Sequence, residues 1–340
     1  MASEGKQRAL GSGPVDDPFF GPTREELAKA NIELVLKPIA STNELIKAAK
    51  DVDVIYEGNY QVTGDVMRQL PRLRALCARG IGVDRFDVDA ATEQGIVVIN
   101  LPRVFHREVA HHAISLLLAS IRQIVPLNNA MKARAENPDT PLRPAVPHQH
   151  IYGQTLGIVS LGNIGRVVAT LLRPFELNVI AYDPFVPQSV ADEYGVRMVD
   201  TLDDLCQQAD FISVHAPLSA ATRHLITEKH FRQMKPSAIF VNTGRGPVVD
   251  EEALIKALRE GWIAAAGLDV QEKEPPDPDN PLLRMDNVIL TPHVASASDL
   301  ARVERARWMG IEVSRVLSGK YPIHGHVNKT VTPRFPLSRD

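Results

Sequence analysis

Three residues far apart in the sequence could together carry out chemistry on a small carboxylic acid: Arg245, Glu274 and His293. An arginine presents paired N–H donors to a carboxylate and stays charged at any working pH. A histidine titrates near neutrality, so it can protonate the alkoxide that forms when a carbonyl accepts a hydride. A carboxylate bonded to the far ring nitrogen fixes the histidine tautomer. The set predicts interconversion of a 2-oxo acid and a 2-hydroxy acid.

Each of these residues comes shortly after a predicted strand, at 238–241, 264–270 and 288–290. In an open parallel sheet, ligands bind beyond the carboxyl ends of the strands, so the three side chains are expected at one edge. Taken singly, each has an ordinary explanation, as a surface arginine, a solvated glutamate and a structural histidine. Their shared position, together with a nucleotide fingerprint, favours a catalytic set.

The fingerprint is the stretch from Thr155 to Asp183, TLGIVSLGNIGRVVATLLRPFELNVIAYD. It predicts a buried strand, a glycine turn, a helix and a second strand. Gly162 would let the backbone approach a pyrophosphate, and Gly165 would let the helix pack closely on the strand. Asp183 ends the second strand, where an acceptor for ribose hydroxyls is needed. Pro184 and Phe185, and not a nearby arginine, follow Asp183, which favours NAD over a 2'-phosphorylated cofactor.

This fingerprint departs from the usual pattern at its first position, which is Ser160 instead of glycine. The motif therefore has the form SxGxxG. The alternative is that Gly162 and Gly165 only serve a tight strand-to-helix turn. The strand, the helix and the distal acid around them favour the dinucleotide interpretation.

A second glycine loop, residues 79–84 (RGIGVD), follows a predicted strand at 73–78. Its backbone N–H groups could bind an anion. A plain strand-to-helix connection is equally consistent with this stretch alone.

Three histidines lie near the start of a long helix predicted over 108–125: His106, His111 and His112. His111 and His112 point about 100° apart on a helix, and no cysteine or acid completes a ligand set. A solvated or packed cluster is therefore favoured over a metal site.

Strands and helices alternate along most of the chain, which predicts parallel sheets with covered faces. Residues 8–11 form a weak candidate strand, and Thr23 is expected to cap a helix through residue 30. A proline-rich stretch, 137–152, is expected to be an irregular linker. Asp250 is predicted to cap a helix over 251–260, and a last helix is expected over 299–317.

Composition limits the classes of function. A chain of 340 residues with 44% hydrophobic residues suits two domains with sizeable cores. The net charge of −3 gives no reason to expect nucleic acid or a membrane as partner. Cys77 and Cys206 are too few for a disulfide framework, and no metal-ligand spacing occurs, so no metal is expected. Without a signal or spanning segment, the prediction is a soluble cytoplasmic protein.

Several motifs, in order, carry a resemblance: SLGNIG with Asp183, HAPLS, VNTGRGPVVDEEAL, GLDVQEKEP and TPHVA. Together they resemble the D-isomer-specific 2-hydroxyacid dehydrogenase family over residues 34–317. Within it, CARGIGVDRFDVDAATEQGI, AYDPFVP and ILTPH are most similar to the phosphoglycerate dehydrogenase and C-terminal-binding-protein branches.

The resemblance implies an α/β fold of two doubly wound parallel-sheet domains with a cleft between them. A flavodoxin-like substrate domain would comprise 1–102 plus 296–340, and a Rossmann NAD-binding domain 103–295. The family implies a homodimer that binds NAD and a small 2-oxo or 2-hydroxy acid. Arg245, Glu274 and His293 would be catalytic. The substrate would be held by Gly80, Ile81, Gly82, Arg245 and His293. Implied cofactor contacts are Ser160, Gly162, Asn163, Ile164, Gly165, Asp183, His215, Pro217, Thr222, Thr243, Arg245, Asp269 and His293.

The departures from the family cluster around the expected cleft. His111 replaces an acidic or amide residue, His106 a small hydroxyl residue, and the usual linker tryptophan is missing. We hypothesise that four basic residues near the cleft suit a substrate with a second anionic group: Arg79, Arg103, Arg107 and His106. The sequence does not name the acid.

Two other functions remain open from the sequence. One is an NAD(H)-sensing regulatory protein, like the corepressor branch, with little turnover. The other is oxidation of formate or phosphite, which Glu274 disfavours because formate enzymes of the superfamily lack the acid there.

Overall fold

A computed structural model describes residues 6–339. The chain divides into two compact units, one of Met1–Phe105 with Ser298–Asp340 and the other of His106–Ala297. They are called unit 1 and unit 2 below.

Unit 1 contains a five-stranded parallel sheet in the order β2-β1-β3-β4-β5. The strands are β1 (Arg8–Ser12), β2 (Glu33–Lys37), β3 (Val54–Tyr56), β4 (Ala75–Cys77) and β5 (Val97–Ile99). The helices are α1 (Gly21–Lys29), α2 (Thr42–Ala49), α3 (Gly64–Arg68), α4 (Val88–Glu93) and the C-terminal α12 (Asp299–Leu317). Strands β3, β4 and β5 are short apolar runs, and every residue in them is buried because helices cover both faces. The strand order is the flavodoxin-like one, as predicted.

Helix α1 shows a local error in the sequence-based prediction. Thr23 does not cap this helix but lies within it, fully buried, and its hydroxyl donates to the carbonyl of Ala306 in α12 at 2.7 Å. Gly310 lets the two helices approach, since a Cβ there would lie 2.7 Å from the Cβ of Glu26. Thr23 is therefore a packing residue between helices. By contrast, Asp87 caps α4, accepting from the N–H of Ala90 at 3.0 Å.

Unit 2 contains a seven-stranded parallel sheet in the order β12-β11-β10-β9-β6-β7-β8. The strands are β6 (Thr155–Val159), β7 (Asn178–Tyr182), β8 (Arg197–Met198), β9 (Phe211–Val214), β10 (Ile239–Asn242), β11 (Ala265–Leu268) and β12 (Val288–Leu290). The helices are α5 (His106–Ile121), α6 (Ile124–Ala133), α7 (Asn163–Leu172), α8 (Gln188–Asp192), α9 (Leu202–Gln208), α10 (Glu228–Gln233) and α11 (Glu251–Arg259).

The central strands of unit 2 are buried on both faces. Ile158 packs into one apolar layer and Val159 into the other, and Phe211 and Ile212 alternate in the same way. From β6 the chain runs to β7 and β8 on one side and then crosses to β9 on the other. The gap between β6 and β9 is thus the topological switch point, where doubly wound sheets bind their ligands. The predicted fold class is confirmed.

The long helix predicted over 108–125 is in fact two helices. Gln123 adopts a left-handed conformation (φ 52°) that interrupts the helix between α5 and α6. Its side-chain amide donates to the carbonyl of Ser120 at 2.6 Å and accepts from the N–H of Val146 at 3.3 Å. Helix α6, which the sequence did not predict, contains no buried residue. Residues 134–154 have neither helix nor strand, as expected of the proline-rich linker.

No helix within residues 6–339 is long and apolar enough to cross a membrane.

Candidate active site

The sequence-predicted residues of unit 2 collect at the carboxyl edge of its sheet. Arg245, Glu274 and His293 follow β10, β11 and β12, which are neighbours in the sheet. The glycine turn and Asp183 follow β6 and β7, on the other side of β9. One edge therefore carries the acid–base residues at one end and the nucleotide fingerprint at the other.

His293 and Glu274 form a direct pair. Nδ1 of His293 lies 2.7 Å from Oε2 of Glu274, and the two side chains are 45% and 34% exposed. The second carboxylate oxygen of Glu274 accepts from the N–H of Gln271 at 3.2 Å. Since a carboxylate only accepts, Nδ1 carries the proton of this bond. Nε2 of His293 is then the ring atom that can exchange a proton with a ligand.

The loop that carries His293 is held by Asp269, whose side chain is fully buried. Oδ1 of Asp269 accepts from the Thr291 hydroxyl at 2.6 Å and from the N–H of Val294 at 2.9 Å, and Oδ2 accepts from the N–H of Ala295 at 2.9 Å. The Asp269 carbonyl accepts from the N–H of His293 at 2.8 Å. His293 itself has φ 53°, in the left-handed region. These bonds stabilise a backbone conformation that costs about 1–3 kcal/mol in a residue with a side chain.

His112 joins this network, which the sequence did not predict. Nε2 of His112 lies 2.9 Å from Oγ1 of Thr291 and 3.4 Å from Oδ1 of Asp269. The single hydroxyl proton of Thr291 goes to Asp269, so His112 must donate through Nε2. A signal was present in the sequence: His112 lies three residues after Val109 and four before Leu116, both on the packed face of α5. His111, in contrast, is exposed.

Arg245 lies in a loop clamped by a buried amide. Oδ1 of Asn242 accepts from the N–H of Gly244 at 2.9 Å, and its Nδ2 donates to the carbonyl of Arg245 at 3.1 Å. Gly246 is required next to it, because a Cβ there would lie 1.8 Å from the carbonyl oxygen of Gln271. The arginine is therefore presented by a rigid turn between β10 and the loop that leads to Glu274.

The glycine turn has the form of a phosphate cradle. Gly162 is the N-cap of α7 and supplies no side-chain cap, and Asn163 and Ile164 form the first turn. The nearest atom to a Cβ at Gly162 is 3.9 Å away, so its surface is open, whereas a Cβ at Gly165 would lie 2.5 Å from the carbonyl oxygen of Ser160. Such a helix start offers its N–H groups and its dipole to an anion.

His215, at the end of β9, is buried and fully bonded. Its Nε2 lies 3.0 Å from the Ser213 hydroxyl, and its Nδ1 lies 3.2 Å from the Thr243 hydroxyl. Burial lowers the pKa of His215 to about 4, so the ring is neutral at pH 7. Farther along the same loop, the Thr222 hydroxyl donates to the carbonyl of Pro217 at 2.6 Å and closes a turn.

The loop of residues 80–82 in unit 1 has the donors of an anion site. Among the described residues, the N–H groups of Gly80, Ile81 and Gly82 have no hydrogen-bond acceptor. The carbonyls of Gly80 and Ile81 are bonded, accepting from the N–H of Leu101 and from the Asn100 side chain, both at 2.8 Å. Successive N–H groups without an acceptor can form a nest that suits a carboxylate.

Arg79 precedes this nest. Its guanidinium carbon lies 4.8 Å from the ring centroid of Phe19 and 5.1 Å from that of Phe20. Burial lowers the pKa of Arg79, and the nearby carboxylate of Glu57 opposes that shift. Its Nε is buried without a hydrogen-bond partner within residues 6–339.

No group of three or more potential metal ligands occurs within residues 6–339.

Comparison with known proteins identifies the family. A sequence profile described as "D-isomer specific 2-hydroxyacid dehydrogenase, NAD binding domain" matches residues 114–295, more than half of the chain. The chain belongs to this family. The matched segment lies within unit 2 and contains the glycine turn, Asp183, Arg245, Glu274 and His293.

Relatives within the family carry different names. The chain is 42% identical over 278 residues to a D-3-phosphoglycerate dehydrogenase of Methanocaldococcus jannaschii, covering 82% of this chain and 52% of that protein. It is 38% identical over 303 residues to a glyoxylate reductase of Korarchaeum cryptofilum, covering 87% and 90%. The chain thus spans about half the length of the first relative.

Among solved structures, the chain resembles an NADPH-dependent glyoxylate/hydroxypyruvate reductase of Sinorhizobium meliloti in complex with NADP and malonate. The TM-score is 0.84 at 29% identity, covering 97% of this chain and 99% of that one. The predicted family, the dinucleotide-binding domain and the two-sheet fold are thereby confirmed.

Proposed function

We propose that the protein is an NAD-dependent oxidoreductase that interconverts a 2-hydroxy acid and a 2-oxo acid. The observation that carries this proposal is the bonded His293–Glu274 pair, 2.7 Å apart, at the sheet edge next to the Arg245 turn. The names of the relatives, dehydrogenases and reductases, favour an enzyme over the NAD(H)-sensing alternative.

We assign cofactor binding to unit 2, and we assign substrate binding to Arg245 and His293 and to the loop of residues 80–82. The open surface at Gly162, the uncapped start of α7 and the carboxylate of Asp183 fit a dinucleotide. A bound nicotinamide dinucleotide would supply or accept the hydride. The remaining assigned contacts are Ser160, Asn163, Ile164, Gly165, His215, Pro217, Thr222, Thr243 and Asp269.

In the reducing direction, Nε2 of His293 gives a proton to the developing alkoxide, and in oxidation it takes the proton back. Glu274 holds the ring through Nδ1 and stabilises the charge that His293 carries before it gives the proton up. The guanidinium of Arg245 binds the carboxylate of the acid with paired donors and polarises the adjacent keto oxygen. The nest at residues 80–82 supplies backbone donors for a carboxylate.

Consumption of NADH with a panel of 2-oxo acids tests this assignment. The panel runs from glyoxylate and pyruvate to dicarboxylates and phosphorylated or sulfonated analogues. Arg245→Lys is expected to lose about 100-fold or more in turnover, since one charge remains but the paired donors are lost. His293→Ala should lose about 10²–10⁴-fold while NADH binding persists. Near-normal turnover in either variant would refute the role assigned to that residue.

The same panel tests whether the substrate carries a second anionic group. Arg79 supports this idea, because this half-buried residue directly precedes the nest in the chain and its Nε lacks a partner within the described chain. Arg79→Gln is expected to lower turnover of dianionic acids more than that of glyoxylate. An equal loss on both would remove Arg79 from substrate selection. No turnover at all, with an NADH-dependent change in oligomeric state, would favour the sensing protein.

We also propose a homodimer and a cytoplasmic location. Helix α6 and the linker expose several large apolar side chains, which a partner copy would cover: Ile124, Val125, Met131, Leu142 and Tyr152. Light scattering of Met131→Glu beside the wild type tests the dimer, and an unchanged mass would exclude this surface.

The cytoplasmic location is supported by the two cysteines, which are free thiols and suit a reducing compartment. Cell fractionation tests this location.

A further inference from the structure

Ser160, the residue that departs from the family's glycine pattern, has an unfavourable backbone conformation. Its φ is 76°, in the left-handed region where glycine is normally found. The conformation is fixed from both sides: the N–H of Ser160 donates to the carbonyl of Tyr182 at 2.9 Å, and its own carbonyl packs against Gly165. The turn would accept glycine without strain, so the serine side chain needs a reason.

The hydroxyl of Ser160 reaches the acid at the end of the next strand. Its Oγ donates to Oδ2 of Asp183 at 3.3 Å. The same oxygen accepts from the N–H of Leu161 at 3.0 Å, and Oδ1 accepts from the N–H of Phe185 at 2.9 Å. Two of the three donors are backbone groups that any sequence would supply. The third exists only because residue 160 is serine.

Three donors on one carboxylate restrict its rotation. Oδ2 is turned toward the glycine turn by two of them, and Oδ1 is held by the third. The remaining lone pairs can accept from the vicinal hydroxyls of an adenosine ribose. A 2'-phosphate at that place would meet a fixed negative charge that cannot turn aside.

We propose that Ser160 is a positioning residue that sets the preference for a dinucleotide with a free 2'-hydroxyl by locking the carboxylate of Asp183. The inference rests on the proposed role of Asp183 in cofactor binding. The question is open within the family, since a structural neighbour is named as NADPH-dependent.

Two variants separate the hydroxyl from the strained backbone. Ser160→Ala removes the hydroxyl and keeps a side chain at positive φ, whereas Ser160→Gly removes the hydroxyl and the strain. Dissociation constants of NADH and NADPH are measured by fluorescence titration, and the thermal midpoint is measured for each variant. Both variants are expected to lower the preference for NADH over NADPH by about fivefold, as for loss of one ordinary hydrogen bond, since the bond is long at 3.3 Å. Ser160→Gly should unfold at a higher temperature than Ser160→Ala.

A double-mutant cycle tests whether Ser160 acts through Asp183. In an Asp183→Ala background, Ser160→Ala should leave the ratio of NADPH to NADH dissociation constants unchanged. Two outcomes would mean that the hydroxyl contacts the dinucleotide directly, and either would overturn the proposal. One is a further fall in the ratio of NADPH to NADH dissociation constants in the Asp183→Ala background. The other is an equal loss of NADH and NADPH affinity in Ser160→Ala alone.

The wild type separates failure of this inference from failure of the proposed function. If the wild type binds neither dinucleotide, the proposed function fails. If it prefers NADH and both Ser160 variants keep the full preference, only the inference fails. A wild type that prefers NADPH also overturns the inference.

Discussion

Asp183 directly follows strand β7 and Asp269 directly follows strand β11, yet the two carboxylates have different roles. Asp183 is half-buried, and its donors come from two short turns around it. Asp269 is fully buried, and its side chain holds Thr291, Val294 and Ala295 in the loop after the neighbouring strand β12. Asp269 thus accepts from a loop that follows another strand, and it belongs to the framework, meaning the buried bonds that hold the His293 loop. Asp183 accepts only from the turns beside it among these bonds, and it keeps lone pairs for a ligand.

Replacing each acid by its amide should separate the two roles with the largest effects. In Asp269→Asn, an NH2 group replaces one carboxylate oxygen. It cannot accept from the N–H or hydroxyl donors that it faces, so the free energy of unfolding should fall by about 2–4 kcal/mol. Turnover should fall about 100-fold because the loop that positions His293 loosens. Asp183→Asn should change the unfolding free energy by less than about 0.5 kcal/mol and weaken NADH binding. Urea unfolding and NADH titration measure both quantities.

Equal losses of unfolding free energy in the two variants would contradict the different roles of the two acids. Full turnover in Asp269→Asn would also contradict them, since the bonds from Asp269 to the His293 loop would then be unnecessary. Gln271, buried in the adjoining loop, offers a matched control. Gln271→Leu removes a buried polar group without touching those bonds, so its turnover should stay closer to that of the wild type.

The elements that sequence predicted best are those defined by local patterns. The bounds of β12 and α12 were predicted to the residue, and the first strand near Arg8 was confirmed. The break at Gln123 was not foreseen, because it depends on a bond to Val146 in the distant linker. Thr23 was misassigned for a similar reason, since its partner lies 283 residues away. Apolar periodicity gives the elements, whereas such long-range bonds have no local signature.

Long-range bonds also limited what the sequence could predict about the site. The spacing of Arg245, Glu274 and His293 behind three predicted strands was enough to place them at one edge. The residues beneath them were not evident, because the bond from His112 to Thr291 joins residues 179 apart. Asp269 was expected only as a cofactor contact. Its bonds to the His293 loop follow from β11 and β12 being adjacent, a fact of the sheet order.

His215 is buried and fully hydrogen-bonded like Asp269, and its contribution to the free energy of unfolding depends on pH. Its pKa is lowered by burial from 6.5 to about 4, so the folded protein holds the neutral ring. The unfolded chain binds a proton as pH falls through 6.5, whereas the folded one does so only near 4. The stabilisation is therefore complete above pH 6.5 and is lost between pH 6.5 and 4, by up to about 3 kcal/mol.

In His215→Gln the free energy of unfolding should fall less steeply across this window, by the contribution of about one proton. Urea unfolding at several pH values measures the difference in slope. His230 and His326 also have pKa values lowered by burial, and they remain in the variant, so the difference isolates His215. Equal slopes would mean that His215 is protonated in the folded protein and does not belong with the buried, satisfied residues.

His112 gives the smallest and most specific test, because its polar side-chain contacts within residues 6–339 are with Thr291 and Asp269. His112→Leu fills a similar volume without a donor, so the Thr291 hydroxyl keeps its bond to Asp269 but loses the N–H from which it accepts, and the Asp269 carboxylate loses a nearby imidazole. We expect kcat to fall about tenfold, the effect of one buried hydrogen bond, with little change in KM for the acid. His112→Gln keeps an N–H donor near the position of Nε2 and should recover most of the loss. If leucine and glutamine are equally impaired, His112 matters only for packing on α5. If kcat is unchanged in both variants, the bonds from Asp269 hold the His293 loop without any contribution from His112.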